Sequence, residues 1–504
     1  MLENIVVGMG MVLKLDNILA SMFGVTVGIL MGAIPGLSEI TAICLLLPFT
    51  FYLKPIAAIA MLMGLCKGGN FGGSIPAILF NVPGTAQAVV TSFDGYPLTK
   101  QGKSGKALKM ALYASTMADT LSDFILFFLA APVAAVALMI GPPEYAMIVL
   151  FSLVVVGVAG SENFVKGMIA IGTGLFLAVI GLDPVTGTPR FTFGSIELSA
   201  GLAVIPIVLG LFVISEAFRQ MELILKEKFS ENLNSRYQNQ IKKTTNLSNH
   251  KVSLTEFKHC LPAIFGGVGI GSALGAIPGI GTTVAAYLSY THTKRVSKHP
   301  ELFGKGALEG VAAAEAGNNA VNGPNLIPLI TLGIPGNLAA ALILGAFMMQ
   351  GLIPGPLFMQ QHAPMLYALF TVLIISNIFT FTVGSLFVSY ARHLTYIPKK
   401  ILYPVVIVFA VIGSYIFRGN LFDLIIMFSL GVLGYIFVKI KIPIPPILVA
   451  FILGEMFEKR MRQALIISGG SISIFFTKPI SLAFFLLTIF VVLFFIRGRG
   501  KNKI

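Results

Sequence analysis

Ile75-Pro76-Ala77-Ile78-Leu79-Phe80-Asn81-Val82-Pro83-Gly84 sits inside a long apolar stretch, and its pattern returns 252 residues later as Ile327-Pro328-Leu329-Ile330-Thr331-Leu332-Gly333-Ile334-Pro335-Gly336. Upstream of each copy lies a second matched pair. Gly32-Ala33-Ile34-Pro35-Gly36 recurs as Gly275-Ala276-Ile277-Pro278-Gly279. Two motifs in the same order, each in an apolar setting, point to an internal duplication. Proline removes a backbone donor and glycine relaxes φ, so each motif is a place where a helix breaks. In a membrane such a break survives only when it is buried in protein or lines a cavity. Paired Gly/Pro-interrupted segments in two halves of a chain are a sequence pointer to a transporter's binding site.

The surroundings make the membrane reading firm. The chain has 504 residues, 56% hydrophobic and 11% charged, against roughly 25% charged in an ordinary soluble domain. Residues 124–143, 198–215 and 479–496 contain no Asp, Glu, Lys or Arg, and neither does the long run from Ala316 to Ala391. A crossing helix needs about 20 mostly apolar residues. The runs are continuous and not alternating, which favours helices over a barrel. The expected fold is an all-α polytopic membrane protein of about ten to twelve transmembrane helices, several broken, in two homologous repeats that are expected to be inverted.

The net charge of +14 does not point to nucleic acid. The basic residues punctuate the ends of apolar runs, as in Lys100, Lys103, Lys106 and Lys109 or Arg497, Arg499, Lys501 and Lys503, the pattern of positive-inside loops. The long polar stretch Arg219–Lys258 carries eight Lys/Arg and four Asp/Glu and reads as a cytoplasmic linker. The expected organisation is 1–218 first membrane repeat, 219–258 linker, 259–478 second repeat, and 479–504 a final transmembrane helix with a basic tail. Cys44, Cys66 and Cys260 show neither paired nor metal-ligand spacing. No His-Glu-x-x-His, Gly-x-Ser-x-Gly or phosphate-loop pattern occurs, so neither catalysis, a metal nor a cofactor is expected, and transport would run on an ion gradient or a separate motor.

The breaks supply the candidate site. Cys66-Lys67-Gly68-Gly69-Asn70-Phe71-Gly72-Gly73-Ser74 is read as part of the first break region, where Gly73 admits close backbone approach and Ser74 offers a hydroxyl. Asn81, Pro83, Gly84 and Thr85 follow, and a new half-helix after the break would present free N–H groups to an anion. Lys67 at membrane depth costs about 2.5–3.5 kcal/mol unless compensated; a substrate carboxylate, snorkelling to an interface, or a protein acid would each compensate it. In the second half the candidates are Asn318, Asn319, Pro335, Gly336 and Asn337, uncharged donors and acceptors suited to substrate oxygens, to a cation, or to interhelical hydrogen bonds. Asp119 and Glu315 are candidates for ion coupling, with Asp123 one turn beyond Asp119. Pro35, Gly36, Pro278 and Gly279 are the remaining helix-break residues. Glu39 reads equally as an ordinary first-turn acid.

These motifs, together with Asp94-Gly95-Tyr96-Pro97, Gly181-Leu182-Asp183-Pro184, Arg190-Phe191-Thr192-Phe193-Gly194 and Pro354-Gly355-Pro356, closely resemble the large membrane subunit of tripartite tricarboxylate transporters. The matching stretches run from about residue 20 to 480. The resemblance implies an inner-membrane permease of a bacterial cell that works with a periplasmic solute-binding protein and a small four-helix membrane subunit. It would import small organic anions, tricarboxylates or dicarboxylates, with a coupling cation, Na⁺ or H⁺. A carrier or channel working without a binding protein is the alternative. Lys67 and Asn322 stand where the family usually has small residues, so the resemblance implies a class of substrate and not citrate itself.

Overall fold

The computed structural model describes residues 2–34, 37–159, 163–228, 251–277, 281–355, 357–394 and 399–498. Helices account for nearly all of it, with a single two-stranded hairpin, Gly181–Leu182 paired antiparallel to Pro189–Arg190. Among the described residues seven helices are long and apolar enough to cross a membrane, from Leu15–Ala33 to Pro479–Ile496. Shorter apolar helices such as Glu39–Tyr52, Phe164–Ala178 and Leu338–Met349 lie between them. The final helix leaves Leu486, Phe490 and Phe494 exposed, a side-chain surface that hydrocarbon, not water, accommodates.

Close helix contact is made possible by small residues. Leu15–Ala33 runs parallel to Pro55–Phe80. A Cβ added at Gly24, Gly28 or Gly32 would meet the carbonyl oxygen of Met61, Leu65 or Gly69 at 2.0, 2.3 and 2.6 Å. The opposing Gly64, Gly68 and Gly72 face Ser21, Val25 and Ile29 in the same way, at 2.5, 2.3 and 2.5 Å. Such backbone approach is how helices associate where burial of apolar surface gives no net drive. The second half packs alike. Gly267, Gly271 and Gly275 of Leu254–Gly275 meet Ala316 Cβ, Gly317 O and Val321 O at 2.6, 2.6 and 2.7 Å.

The repeated motifs also end helices alike. Asn81 and Gly333 both adopt the left-handed conformation, φ 57° and 66°. The Asn81 N–H donates to Ala77 O and the Val82 N–H to Pro76 O; the Gly333 N–H donates to Leu329 O and the Ile334 N–H to Pro328 O. Each donor–acceptor pair is displaced by the repeat offset. Between the motifs the halves differ from expectation. Helix Pro55–Phe80 continues unbroken through Cys66–Ser74, so the first break lies only at Asn81. Each glycine costs a helix about 1 kcal/mol relative to alanine, but this helix is buried along nearly its whole length and packing outweighs propensity. The equivalent segment of the second half does break. Leu308–Asn319 ends before Gly323-Pro324, and Leu326–Leu332 begins after it. The expected linker is helical at both ends, within Ser215–Lys228 and Leu254–Gly275. Its middle, 229–250, lies outside the described residues, as do Pro35, Gly36, Pro278 and Gly279.

Contacts at the helix ends define two faces. Around the linker lie Lys439 and Glu222 at 3.1 Å, Lys106 and Glu256 at 2.6 Å, and Gln101 donating to Lys305 O at 2.7 Å. At the far ends of the same bundle, Arg418 donates to Gly201 O at 3.3 Å, Tyr52 to Ile416 O at 3.3 Å, and Gln350 to Thr50 O at 2.6 Å. Arg462 grips Asp183 there at 3.0 and 2.8 Å. The Thr186 and Val185 N–H groups and then Arg462 hold the Asp183 carboxyl well below the usual carboxylate range.

Candidate functional site

A cavity of about 820 Å³ opens near the linker face. Its inner wall is the first break, Pro83, Gly84 and Thr85, together with Ser38 and Thr41 at the start of helix Glu39–Leu46. Ser38 caps that helix, accepting from the Thr41 N–H at 3.4 Å. The Gly84 N–H reaches back to Gly73 O at 3.0 Å, fixing the break against helix Pro55–Phe80. Leu338, next to the second-half candidate Asn337, closes one side. Two cations line the outer part. Arg219 is held by Glu216 through two hydrogen bonds of 2.8 and 2.7 Å. Lys441 stands on a left-handed backbone, φ 59°, and has no acid partner among the described residues. A non-glycine residue in that region is uncommon and marks a position the surroundings hold in place. The cavity therefore combines hydroxyls, turn backbone, the Arg219–Glu216 ion pair and the unpaired charge of Lys441, a set suited to carboxylate oxygens.

Behind the cavity runs a chain of buried side chains. Gln87 Nε2 donates to Glu39 Oε1 at 3.2 Å and to Asn70 Oδ1 at 2.9 Å. Asn70 donates to Asn322 Oδ1 at 2.9 Å, and Asn322 reaches Asp119 at 3.4 Å. Asp119 lies 2.9 Å from Lys67 Nζ, and Asp123 lies 2.8 Å from it. Asn377 completes the group, accepting from Lys67 at 2.9 Å and donating to Asp123 at 2.7 Å. Lys67 is 1% exposed. Of the three compensations open in the sequence, the structure gives it protein acids, and Lys67 does not line the cavity. Asp119 and Asp123, one helical turn apart on Ser104–Ala137, face it together away from either face of the bundle.

Glu315 is set differently. It accepts from the hydroxyls of Ser74, Thr91 and Ser115 at 2.5, 2.5 and 2.7 Å, with no cation beside it among the described residues. Asn319 donates to Ser115 Oγ and to Glu315 O, both at 3.0 Å. Thus Ser74 and Asn319, proposed for substrate, meet Glu315. Asn318 is fully buried, and neither amide atom has a partner among the described residues. Asn337 caps Leu338–Met349 by accepting from the Ala340 N–H at 2.8 Å. Pro335 and Gly336 are buried, and a Cβ at Gly336 would lie 1.8 Å from Asn325 Oδ1. Asn81 caps its helix outside the cavity lining. The structure thus brings Pro83, Gly84 and Thr85 into one cavity, holds Gly73 directly behind them, and leaves the second-half break packed away.

Sequence reasoning missed Arg219, assigned to the linker, and Lys441, whose backbone conformation has no sequence signature. Ser38 and Thr41 carried a signal, since a serine directly after Pro35-Gly36 and before a helix is an N-cap pattern. Asn70 and Asn322 carried another, being separated by the repeat offset.

Such a bundle, with charge pairs buried in its interior and a polar cavity reaching its helix breaks, defines a multi-pass membrane transport protein. The family model described as the tripartite tricarboxylate transporter TctA family matches residues 18–449, and the chain belongs to that family. It is 36% identical over 483 residues, 95% of this chain and 93% of the relative, to a protein of Agrobacterium vitis described as an uncharacterized 52.8 kDa protein in the TAR-I ttuC' 3' region. A second A. vitis protein, described as uncharacterized in the TAR-II ttuC' 3' region, is 37% identical over 211 residues, 42% of this chain and 87% of that protein. No solved structure matches.

Proposed function

We propose that the chain is the permease subunit of a binding-protein-dependent secondary transporter that imports small organic anions on an ion gradient. It would work with a periplasmic solute-binding protein and a small membrane subunit in a bacterial inner membrane. The observation that carries the reading is the cavity that joins Pro83, Gly84 and Thr85 to Arg219 and Lys441. With Arg219 engaged by Glu216, Lys441 is the cavity cation left to meet a di- or tricarboxylate. The basic excess of the linker supports a cytoplasmic side for this opening.

The repeats fit alternating access between the two sides. Asn70 and Asn322 are repeat equivalents and touch each other at 2.9 Å. Residues related by a twofold operation meet their own copies only on its axis, which supports a pseudo-twofold passing between them. Thr50 and Leu53 just before helix Pro55–Phe80 meet Gln350 on the far face, and that helix ends where Thr99 donates to Ile78 O at 2.8 Å, toward Gln101 and Lys305. Its counterpart Leu308–Asn319 starts beside Lys305 and continues to Ile330, whose carbonyl accepts from the Gly355 N–H on the far side. These opposite senses of the two matched segments support the inverted-repeat reading.

Uptake into proteoliposomes holding the chain and its purified partners, across a panel of carboxylates and cation gradients, tests the reading. Saturable uptake of a di- or tricarboxylate that needs the binding protein and a cation gradient is expected. Uptake without the binding protein would favour a self-sufficient carrier, and no carboxylate uptake under any gradient would overturn the proposal.

A further inference from the structure

We propose that Glu39 and Thr85 form a site for a small alkali cation, sodium or lithium, in the wall of the anion cavity. The inference rests on the permease reading and gives the coupling ion a place in it. Both side chains are more than nine-tenths buried, at 7% and 5% exposure. Oε1 of Glu39 accepts from the Gln87 amide, while Oε2 of Glu39 and Oγ1 of Thr85 have no hydrogen-bond partner among the described residues. The two groups pack against successive turns of helix Pro55–Phe80. A Cβ at Gly69 would sit 2.4 Å from Glu39 Cβ, and one at Gly73 would sit 2.5 Å from Thr85 Oγ1. One turn is a rise of about 5.4 Å, so the two side chains stand at neighbouring levels of the same helix, where a small cation could draw an oxygen from each.

Hydrogen-bond satisfaction singles out Glu39. Four acids lie deep beside the breaks and the polar chain. Asp119 and Asp123 share Lys67, and Glu315 takes three hydroxyl donors. Glu39 has one neutral amide. A buried carboxylate so poorly compensated calls for a cation. The available donors are all oxygens, which suits a hard cation. The single carboxylate matches one positive charge, and the close approach of Glu39 to Gly69, Thr85 to Gly73 and Gly84 to Gly32 favours a small ion over a large one.

The site shares a wall with the anion cavity. Thr85 follows Pro83-Gly84, and all three line that cavity. A cation held by Thr85 and Glu39 would fix the break in the conformation that presents its backbone to a carboxylate. Binding of each ion would then favour the other, by the same factor in both directions.

Thermal unfolding of the purified full-length protein tests this without partners or organic anion. The salts are NaCl, LiCl, KCl and choline chloride at one ionic strength and one pH. Sodium and lithium are expected to raise Tm saturably, with potassium and choline giving no rise. Glu39→Gln should abolish the rise, Thr85→Ala should move its midpoint at least tenfold higher, and the exposed Glu455→Gln should leave it unchanged. Should Glu39→Gln fail to fold, Thr85→Ala decides. Equal Tm in all four salts, a Tm that follows pH alone, or an unshifted midpoint in Thr85→Ala would overturn the site. The permease reading is separable: carboxylate uptake that persists in sodium-free medium removes the cation site and leaves that reading standing, and a sodium-dependent Tm without carboxylate uptake does the reverse.

Discussion

Lys67 and Lys441 divide between them the two roles that one buried cation suggested in the sequence. Lys67 has two carboxylates within 2.9 Å and almost no exposure, so its charge stabilises the bundle interior. Removing one partner of a buried ion pair typically costs about 3–5 kcal/mol. Lys67→Met is therefore expected to reduce the yield of folded, detergent-extracted protein, read by size-exclusion chromatography. Adding Asp119→Asn and Asp123→Asn should restore much of that yield, because no unpaired charge then remains. Lys441→Gln should behave in the opposite way. Its yield should stay near wild type while the half-saturation concentration for a carboxylate rises ten- to a hundredfold, the equivalent of about 1.5–3 kcal/mol for a hydrogen bond to a charged group. Unchanged half-saturation in well-folded Lys441→Gln would remove it from the anion site. The sequence shows that a lysine among glycines needs an anion, since the cost of burying charge depends on the residue alone. Which anion depends on residues 52 and 56 positions away, and on a helix register that no local pattern encodes.

At the scale of elements, the repeated motifs were legible because proline and glycine act through the backbone wherever they stand. The helix through Cys66–Ser74 was not. There a local preference against helix competes with burial and with the carbonyls of a neighbouring helix, and these are set by tertiary contact. The same contacts make the glycines hard to replace. Gly28→Val would place a Cβ 2.3 Å from Leu65 O, in backbone that cannot yield as a flexible side chain does. Loss of most extractable protein is expected, whereas Gly10→Ala, with nothing within 4 Å, should be tolerated. Equal yields for the two would show that the close approach contributes nothing to assembly. The two left-handed caps make a finer comparison. Asn81→Gly relieves a side chain from φ 57°, while Gly333→Ala imposes one at φ 66° and costs about 1–2 kcal/mol. Melting curves should move in opposite directions for the two variants.

Across the whole molecule, the two halves are in different states although their motifs match. The first break lines a cavity near the linker face. Its counterpart is packed, with Pro335 and Gly336 buried, Gly336 against Asn325, and Asn337 occupied as a helix cap. By the repeat offsets, Ser38, Pro83, Gly84 and Thr85 correspond to Gly281, Pro335, Gly336 and Asn337. On the proposal that the halves are inverted repeats that exchange conformations, the second set opens toward the far face as the first set closes. The exchange requires no new element, because each half already shows the conformation the other must adopt. Cysteine labelling with a membrane-impermeant maleimide reads this out. Background is low, since Cys44, Cys66 and Cys260 are all buried. A cysteine at Ser38 should react from the linker face and not from the far face. A cysteine at Asn337 should be protected in the state described here and should become reactive from the far face alone when the equilibrium is shifted. A tenfold rise in its labelling rate on adding the coupling cation would correspond to about 1.4 kcal/mol of differential binding between the two states. Reactivity of the Asn337 cysteine from the linker face, or of both positions from the same face under every ionic condition, would mean that the two breaks serve one opening and that the halves do not exchange.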